Sequence, residues 1–117
     1  MMSVSYIVLA TLAAAANMWA AATDFLRTRT AVANATKVEV PLSWLFPLGA
    51  LKAAGALGLL VGIAVPAIGI AAAVGLTLFF VCAVFAHLRV RWYATIAFPG
   101  AFLLVAVGAL VSRLASI

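Results

Sequence analysis

Long stretches without a charged side chain are the feature that most limits how this chain can fold. Residues 1–23, 53–86 and 92–112 contain no Asp, Glu, Lys or Arg. A soluble domain carries roughly a quarter charged residues, because it needs a wet surface. Here only 8% of the residues are charged and 69% are hydrophobic. Lipid must therefore be the solvent for most of the chain, and the sequence predicts an all-α membrane protein.

The lengths of the uncharged runs predict how many helices cross the membrane. A spanning helix needs about 20 mostly apolar residues, so the run 53–86 is too long for one helix. Pro66 divides it, because proline has no N–H to donate to the preceding turn. The first run lacks the basic start of a signal peptide. The sequence thus predicts a four-transmembrane-helix bundle, a single membrane domain over residues 1–117, with approximate spans 4–25, 47–64, 66–88 and 93–113.

The basic residues predict the orientation in the membrane, because cytoplasmic loops are enriched in Lys and Arg. The first loop contains Arg27, Arg29 and Lys37, and the third contains Arg89 and Arg91. The opposite side has only Arg113. We therefore expect a multi-pass protein of the cytoplasmic membrane, with loops 1–2 and 3–4 in the cytoplasm and both termini outside. The net charge is +5, but the basic side chains lie at the ends of the apolar segments, where they anchor the helices. We therefore expect no nucleic acid as a partner.

Small residues predict close packing of the helices. In lipid the hydrophobic effect contributes little to helix association, so close packing must hold the helices together. Gly55, Gly58 and Gly62 fall on one side of the second helix and include a GxxxG motif at 58–62. This face either packs within the bundle or forms a homodimer.

Two further features concern helix shape and the membrane interface. Pro99 and Gly100 interrupt the fourth predicted helix, which predicts a kink that frees the carbonyl of Thr95. Trp44 and Tyr6 are predicted to lie in the aromatic belt at the membrane interface.

Four polar residues within the predicted spans are candidate functional residues: Asn17, Asp24, Lys52 and His87. An ionisable group near a helix centre costs roughly 2.5–3.5 kcal/mol on insertion scales, so such groups tend to face the bundle and to be paired. All four could converge in the cytoplasmic half of the bundle. The functional hypothesis is an intramembrane polar pocket, with Asp24 and Lys52 as an ion pair and His87 binding a proton or ligand.

Each of these residues also has a structural interpretation. Lys52 can extend its ammonium to the headgroups, Asp24 can neutralise Arg27 one turn away, and His87 can be an interfacial residue. Asn17 is the hardest to explain in this way, because no interface is within its reach. We expect it to hydrogen-bond another helix, with or without a ligand.

The sequence offers no pattern that predicts catalysis or a metal site. One histidine, one cysteine and two carboxylates are too few ligands at workable spacing. No pair of histidines for haem, glycine-rich phosphate loop or nucleophile motif is present. We therefore predict no catalytic residue and no metal, and we lean towards a protein that is not an enzyme.

Several motifs, in their order along the chain, resemble the DoxX-like membrane proteins, especially those of actinobacterial type. They are residues 40–45 (VPLSWL), 48–55 (LGALKAAG), 65–71 (VPAIGIA), 79–80 (FF), 87–89 (HLR) and 96–101 (IAFPGA). The resemblance implies a four-helix bundle in the cytoplasmic membrane. It also implies Lys52 and His87 as candidate positions, where this subfamily often carries Lys and His. Many other DoxX proteins have an acidic residue near Lys52, so no mechanism transfers from them.

The resemblance implies little about activity, and three functions follow as hypotheses. The wider group includes a small subunit of a thiosulfate:quinone oxidoreductase, and other members are linked to redox stress. The first hypothesis is an accessory or anchoring subunit with a membrane or redox protein partner. The second is a quinone- or lipid-binding protein with walls around Phe79, Phe80 and Phe85. The third, a small transporter, is disfavoured because the first helix has no deep carboxylate.

Overall fold

The structure, a computed structural model, describes residues 4–93 and 96–115. Within these residues the chain forms five α-helices and a short 3-10 helix. They are α1 Val4–Phe25, α2 Arg29–Lys37, the 3-10 helix Leu42–Trp44, α3 Leu45–Val61, α4 Pro66–Arg89 and α5 Ala97–Ala115. Of the described helices, α1, α3 with its preceding 3-10 turn, α4 and α5 are long and apolar enough to cross a membrane. The predicted all-α membrane bundle is confirmed.

The four long helices form a ring in which each packs against two neighbours. α1 contacts α3 and α5, and α4 contacts the same two helices from the other side. The core between them contains Tyr6, Leu59 and Phe80, with many alanines such as Ala10 and Ala106. These small side chains let the helices approach closely, as is typical of packing in lipid.

Three of the long helices, α3, α4 and α5, have a proline in their first turn. Pro66 is the first residue of α4, and Val65 before it is extended, because a residue that precedes proline is disfavoured in the helical region. Pro47 lies in the first turn of α3, where its missing N–H would have no helical partner in any case. Helix α3 therefore begins at Leu45, two residues before Pro47, and ends at Val61.

The kink predicted at Pro99 is wrong. Helix α5 runs over Ala97–Ala115, so Pro99 lies in its first turn, where proline costs no hydrogen bond. The predicted span began at residue 93, which placed the proline too deep in the helix. The carbonyl of Thr95, which the kink would have freed, lies outside the described residues.

Helix α2 lies in the loop between the first two spans, where the sequence analysis assigned no helix. Thr28 begins it, because its hydroxyl accepts a hydrogen bond from the N–H of Ala31 at 3.2 Å, as N-cap residues do. Ala31 and Ala35 are buried against Leu45 at the start of α3. The helix therefore folds back onto the bundle through two small side chains.

The GxxxG face of α3 packs against α4 of the same chain. A Cβ atom added at Gly58 would lie 2.7 Å from the Cβ of Ala72, and one at Gly62 would lie 2.8 Å from the N atom of Gly69. This contact corrects the hypothesis of a homodimer through the GxxxG face, because α4 occupies that face. A homodimer through another face stays a prediction.

Candidate functional site

Asp24 of α1 and Lys52 of α3 form an ion pair. Lys52 Nζ donates to Asp24 Oδ2 at 2.8 Å, and the two side chains are 15% and 9% exposed, respectively. Gly49, one turn before Lys52, makes this approach sterically feasible, because a Cβ atom there would lie 3.2 Å from the Cβ of Asp24. Because Gly49 has no side chain, α1 and α3 can approach closely enough for Asp24 and Lys52 to pair.

The pairing decides between the interpretations of these charges. Asp24 binds Lys52, while Arg27 instead donates from Nη2 to the carbonyl of Leu42 at 3.0 Å. The ammonium of Lys52 is therefore held against the carboxylate of Asp24. Both charges are therefore used in joining α1 to α3.

A row of aromatic rings leads away from this ion pair. Lys52 Nζ lies 5.5 Å from the ring centroid of Phe79, within the range of a cation–π contact. Phe79 and Phe80 have centroids 5.0 Å apart, and Phe80 and Phe102 of α5 are 5.1 Å apart. Phe85, predicted as a further wall residue, is instead 63% exposed on the outer surface. The row thus crosses the bundle from α3 to α5.

Asn17 of α1 is buried, and the oxygen of its side-chain amide has no hydrogen-bond partner among the described residues. Its side chain is 2% exposed, and Nδ2 donates to the carbonyl of Ala13 on the same helix at 2.8 Å. Oδ1 has no hydrogen-bond partner among the residues that the structure describes. The expected bond to another helix is therefore wrong for this part of the chain.

Asn17 lines a cavity of about 330 Å³ between α1 and α5, which we call the Asn17 groove. Its lining consists of Leu12, Ala13, Ala16 and Asn17 from α1, with Ala101, Phe102 and Val105 from α5. Asn17 is the only polar side chain among these seven. Since Phe102 also ends the aromatic row, that row connects the groove to the ion pair.

His87 lies at the C-terminal end of α4 and contacts its own segment. Its Nδ1 lies 2.9 Å from the carbonyl of Ala83, a bond that requires the proton on Nδ1. The ring stacks on Trp92 with centroids 5.2 Å apart. Of the four predicted residues, the structure therefore brings only Asp24 and Lys52 into contact, while Asn17 and His87 lie in separate surroundings.

Two polar residues at the opposite end of the bundle were not among the candidates. Tyr6 is fully buried, and its hydroxyl donates to the carbonyl of Leu59 at 2.7 Å. Arg113 is 4% exposed, and its guanidinium carbon lies 5.3 Å from the Tyr6 ring centroid. The interfacial position predicted for Tyr6 is wrong. Its spacing of four and eleven residues from Ala10 and Asn17 puts it on the buried face of α1, and that signal was available in the sequence.

The described residues were also compared with the requirements of a metal site. Among them, no three His, Cys, Asp or Glu side chains come close enough to hold a metal ion. We therefore assign no metal ligand.

The comparisons with known proteins identify the family. A family model described as the DoxX-like family matches residues 8–109, which is most of the chain. No curated protein and no solved structure matches this chain. The chain belongs to the DoxX-like family, so the predicted resemblance is confirmed, and its helices indicate a multi-pass membrane protein.

Proposed function

We propose that this DoxX-like protein binds a lipid-soluble molecule, of quinone or lipid type, in the Asn17 groove. The observation that carries the proposal is the 330 Å³ cavity beside a 2% exposed amide whose Oδ1 has no partner in the described residues. Small-molecule sites have volumes of about 300–1,000 Å³, with mostly apolar walls and a few placed polar groups. The groove has this combination.

The position of the groove indicates that its ligand arrives from the bilayer. Asn17 is eight residues from the end of α1 at Phe25, which is about 12 Å along the helix. The groove therefore lies at the depth of hydrocarbon. Two of its lining residues, Leu12 and Ala101, are exposed on the outer surface of the bundle, where lipid would contact them.

Native mass spectrometry of the protein, extracted in mild detergent from its own membrane, tests this proposal. We expect the chain to carry the added mass of a quinone or lipid. Ala101→Phe, which fills the groove, should lower the bound fraction about tenfold. Leu104→Phe is the matched control, because Leu104 lies on the same helix but faces outward and does not line the groove. Equal retention by both variants, or no ligand on the native chain, would contradict the proposal.

An accessory role in a membrane redox complex is the second candidate function. It is favoured because Asp24 and Lys52 are paired with each other and His87 is bound within its own segment. On this proposal these groups hold the bundle together, and the chemistry belongs to a partner. The same spectra test it, since a heteromeric mass supports the role and repeated recovery of this chain alone contradicts it. Transport is the third hypothesis, and no contact among the residues that the structure describes favours it.

We propose that the protein lies in the cytoplasmic membrane. The loop between spans 1 and 2 and the loop between spans 3 and 4 are then on the cytoplasmic side. These loops lie at one end of the bundle, because Arg89 donates from its guanidinium to the carbonyl of Val38. The five basic residues of this end are all exposed: Arg27, Arg29, Lys37, Arg89 and Arg91. At the other end Arg113 is buried. Such an excess of exposed basic residues marks the cytoplasmic side.

Cysteine labelling of intact cells tests this orientation. In a Cys82→Ala background, Ser5→Cys and Thr30→Cys place single thiols at exposed positions on opposite ends of the bundle. A membrane-impermeant maleimide should label Ser5→Cys and leave Thr30→Cys unlabelled until the cells are opened. The reverse pattern would overturn the orientation.

A further inference from the structure

We infer that the guanidinium groups of Arg27, Arg89 and Arg91 bind the phosphate headgroup of an anionic phospholipid. These three residues, which we call the arginine surface, lie at the end of the bundle that carries the loops between α1 and α3 and between α4 and α5. The inference concerns a different part of the molecule from the Asn17 groove and does not depend on the function proposed for that groove.

The charges at this end of the bundle are strongly unbalanced. Its exposed basic side chains are Arg27, Arg29, Lys37, Arg89 and Arg91. The chain has only two acidic residues, and Asp24 is paired with Lys52. This leaves Glu39 as the one acidic side chain to offset five cations. Clusters of basic residues at the end of a membrane span attract anionic lipids, so the charge of the partner is negative.

Hydrogen bonds hold two of the three guanidinium groups at one short segment of the first loop. Arg27 donates from Nη2 to the carbonyl of Leu42 at 3.0 Å, and Arg89 donates from Nη2 to the carbonyl of Val38. These carbonyls are four residues apart in the chain, so at most about 14 Å separates them. A guanidinium has several further N–H donors, and these can donate in pairs to the oxygens of a phosphate.

Exposed apolar side chains next to these arginines favour a lipid as the source of the phosphate. Leu26 precedes Arg27, and Leu42 provides the carbonyl that Arg27 binds; both leucine side chains are exposed. Trp44, two residues after Leu42, is also exposed, and tryptophan is enriched where headgroups meet hydrocarbon. A soluble phosphate compound would leave these side chains in water, whereas a phospholipid covers them with its acyl chains.

The backbone of Arg91 shows that the fold alone would favour a different residue. Its φ is 56°, and its N–H donates to the carbonyl of Leu88 in the turn that ends α4. Glycine is the usual residue at this position after a helix, because a side chain is disfavoured in the left-handed region. Arg27 has the same conformation after α1, with φ 50°. Both positions thus carry a charge where glycine would suit the backbone better.

Native mass spectrometry of the full-length protein, titrated in mild detergent with single lipids, tests the inference. The probes are phosphatidylglycerol and phosphatidylcholine with the same acyl chains, since phosphatidylcholine carries a cation that neutralises its phosphate. We expect the native chain to bind phosphatidylglycerol about tenfold more tightly. Excess inorganic phosphate should not displace it. Equal affinity for the two lipids, or displacement by inorganic phosphate, would overturn the inference, and neither result depends on a variant.

Two variants at Arg91 separate binding from folding. Arg91→Gly should lower the affinity for phosphatidylglycerol about fivefold. Its denaturation midpoint without anionic lipid should be unchanged or higher, because glycine suits the backbone. Arg91→Lys keeps the charge and should bind within about twofold of the native chain. Equal affinities of these two variants would contradict the role of Arg91.

Ala101→Phe shows which of the two proposals fails. It fills the Asn17 groove and leaves the arginine surface unchanged, so it should not alter the affinity for phosphatidylglycerol. A loss of phosphatidylglycerol in Ala101→Phe that equals the loss in Arg91→Gly would place the lipid in the groove and overturn the inference.

Discussion

Replacing Lys52 with methionine is expected to destabilise the bundle by about 3 kcal/mol, since removing one partner of a buried ion pair leaves the other uncompensated. Methionine keeps most of the bulk of lysine and can still pack against Phe79. The carboxylate of Asp24, 9% exposed, would then lie between α1 and α3 without its counter-charge. The measurement is the midpoint of denaturation in detergent micelles, followed by helical circular dichroism.

Two further variants separate the pair from a general effect of lost charge. Lys37→Met changes an exposed lysine at the end of α2 and should alter the free energy of unfolding by less than about 0.5 kcal/mol. The double variant Asp24→Asn with Lys52→Met removes both charges and should recover much of the loss. If Lys52→Met is no more destabilising than Lys37→Met, the ion pair does not hold α1 to α3.

The ion pair was accessible to sequence reasoning only as one of several hypotheses. The order of the spans puts Asp24 at the end of α1 and Lys52 near the start of α3, so the two residues lie at the same side of the membrane. What decides the pairing is the close approach of the helices at Gly49. That contact depends on how α1 and α3 pack, which the spacing along either helix does not specify.

The predicted convergence of four polar residues fails for a reason of packing. Asn17 and Asp24 are seven residues apart and do share a face of α1. However, α1 lies between α3 and α5, and this face borders both helices. Asp24 contacts α3, whereas Asn17 lines the groove with α5. The sequence shows which residues share a face of a helix. It does not show which neighbouring helix packs against each turn of that face.

The fold itself was largely readable from the sequence, because lipid imposes strict limits on charge and length. Uncharged runs and Pro66 indicate four spans, and the structure has four such helices among the residues it describes. The short helix α2 was missed because it is polar and packs on the bundle through small side chains, Ala31 and Ala35, against Leu45. Its stability comes from that tertiary contact more than from its own pattern.

The second large loss of stability is expected at Gly62, where α3 and α4 lie in close contact. Gly62 follows the last residue of α3 with helical backbone angles, φ −61° and ψ −15°, so alanine fits its conformation. The obstacle is space. A Cβ atom there would lie 2.5 Å from the hydroxyl of Tyr6 and 2.8 Å from the N atom of Gly69. The backbone of α4 moves only if the helices separate, which would also disturb the bond from Tyr6 to Leu59.

We therefore expect Gly62→Ala to lower the free energy of unfolding by about 3 kcal/mol, the upper part of the usual range for overpacking. Gly75→Ala in α4 is the matched control, because an added Cβ there meets nothing within 4 Å. In a helix interior that substitution should stabilise the chain by up to about 1 kcal/mol. Denaturation midpoints of the two variants in the same micelles make the comparison. Since the same methyl group is added in both, opposite signs would locate the effect in the contact between Gly62, Gly69 and Tyr6. Equal stability of the two variants would show that α3 and α4 are not held in close contact there.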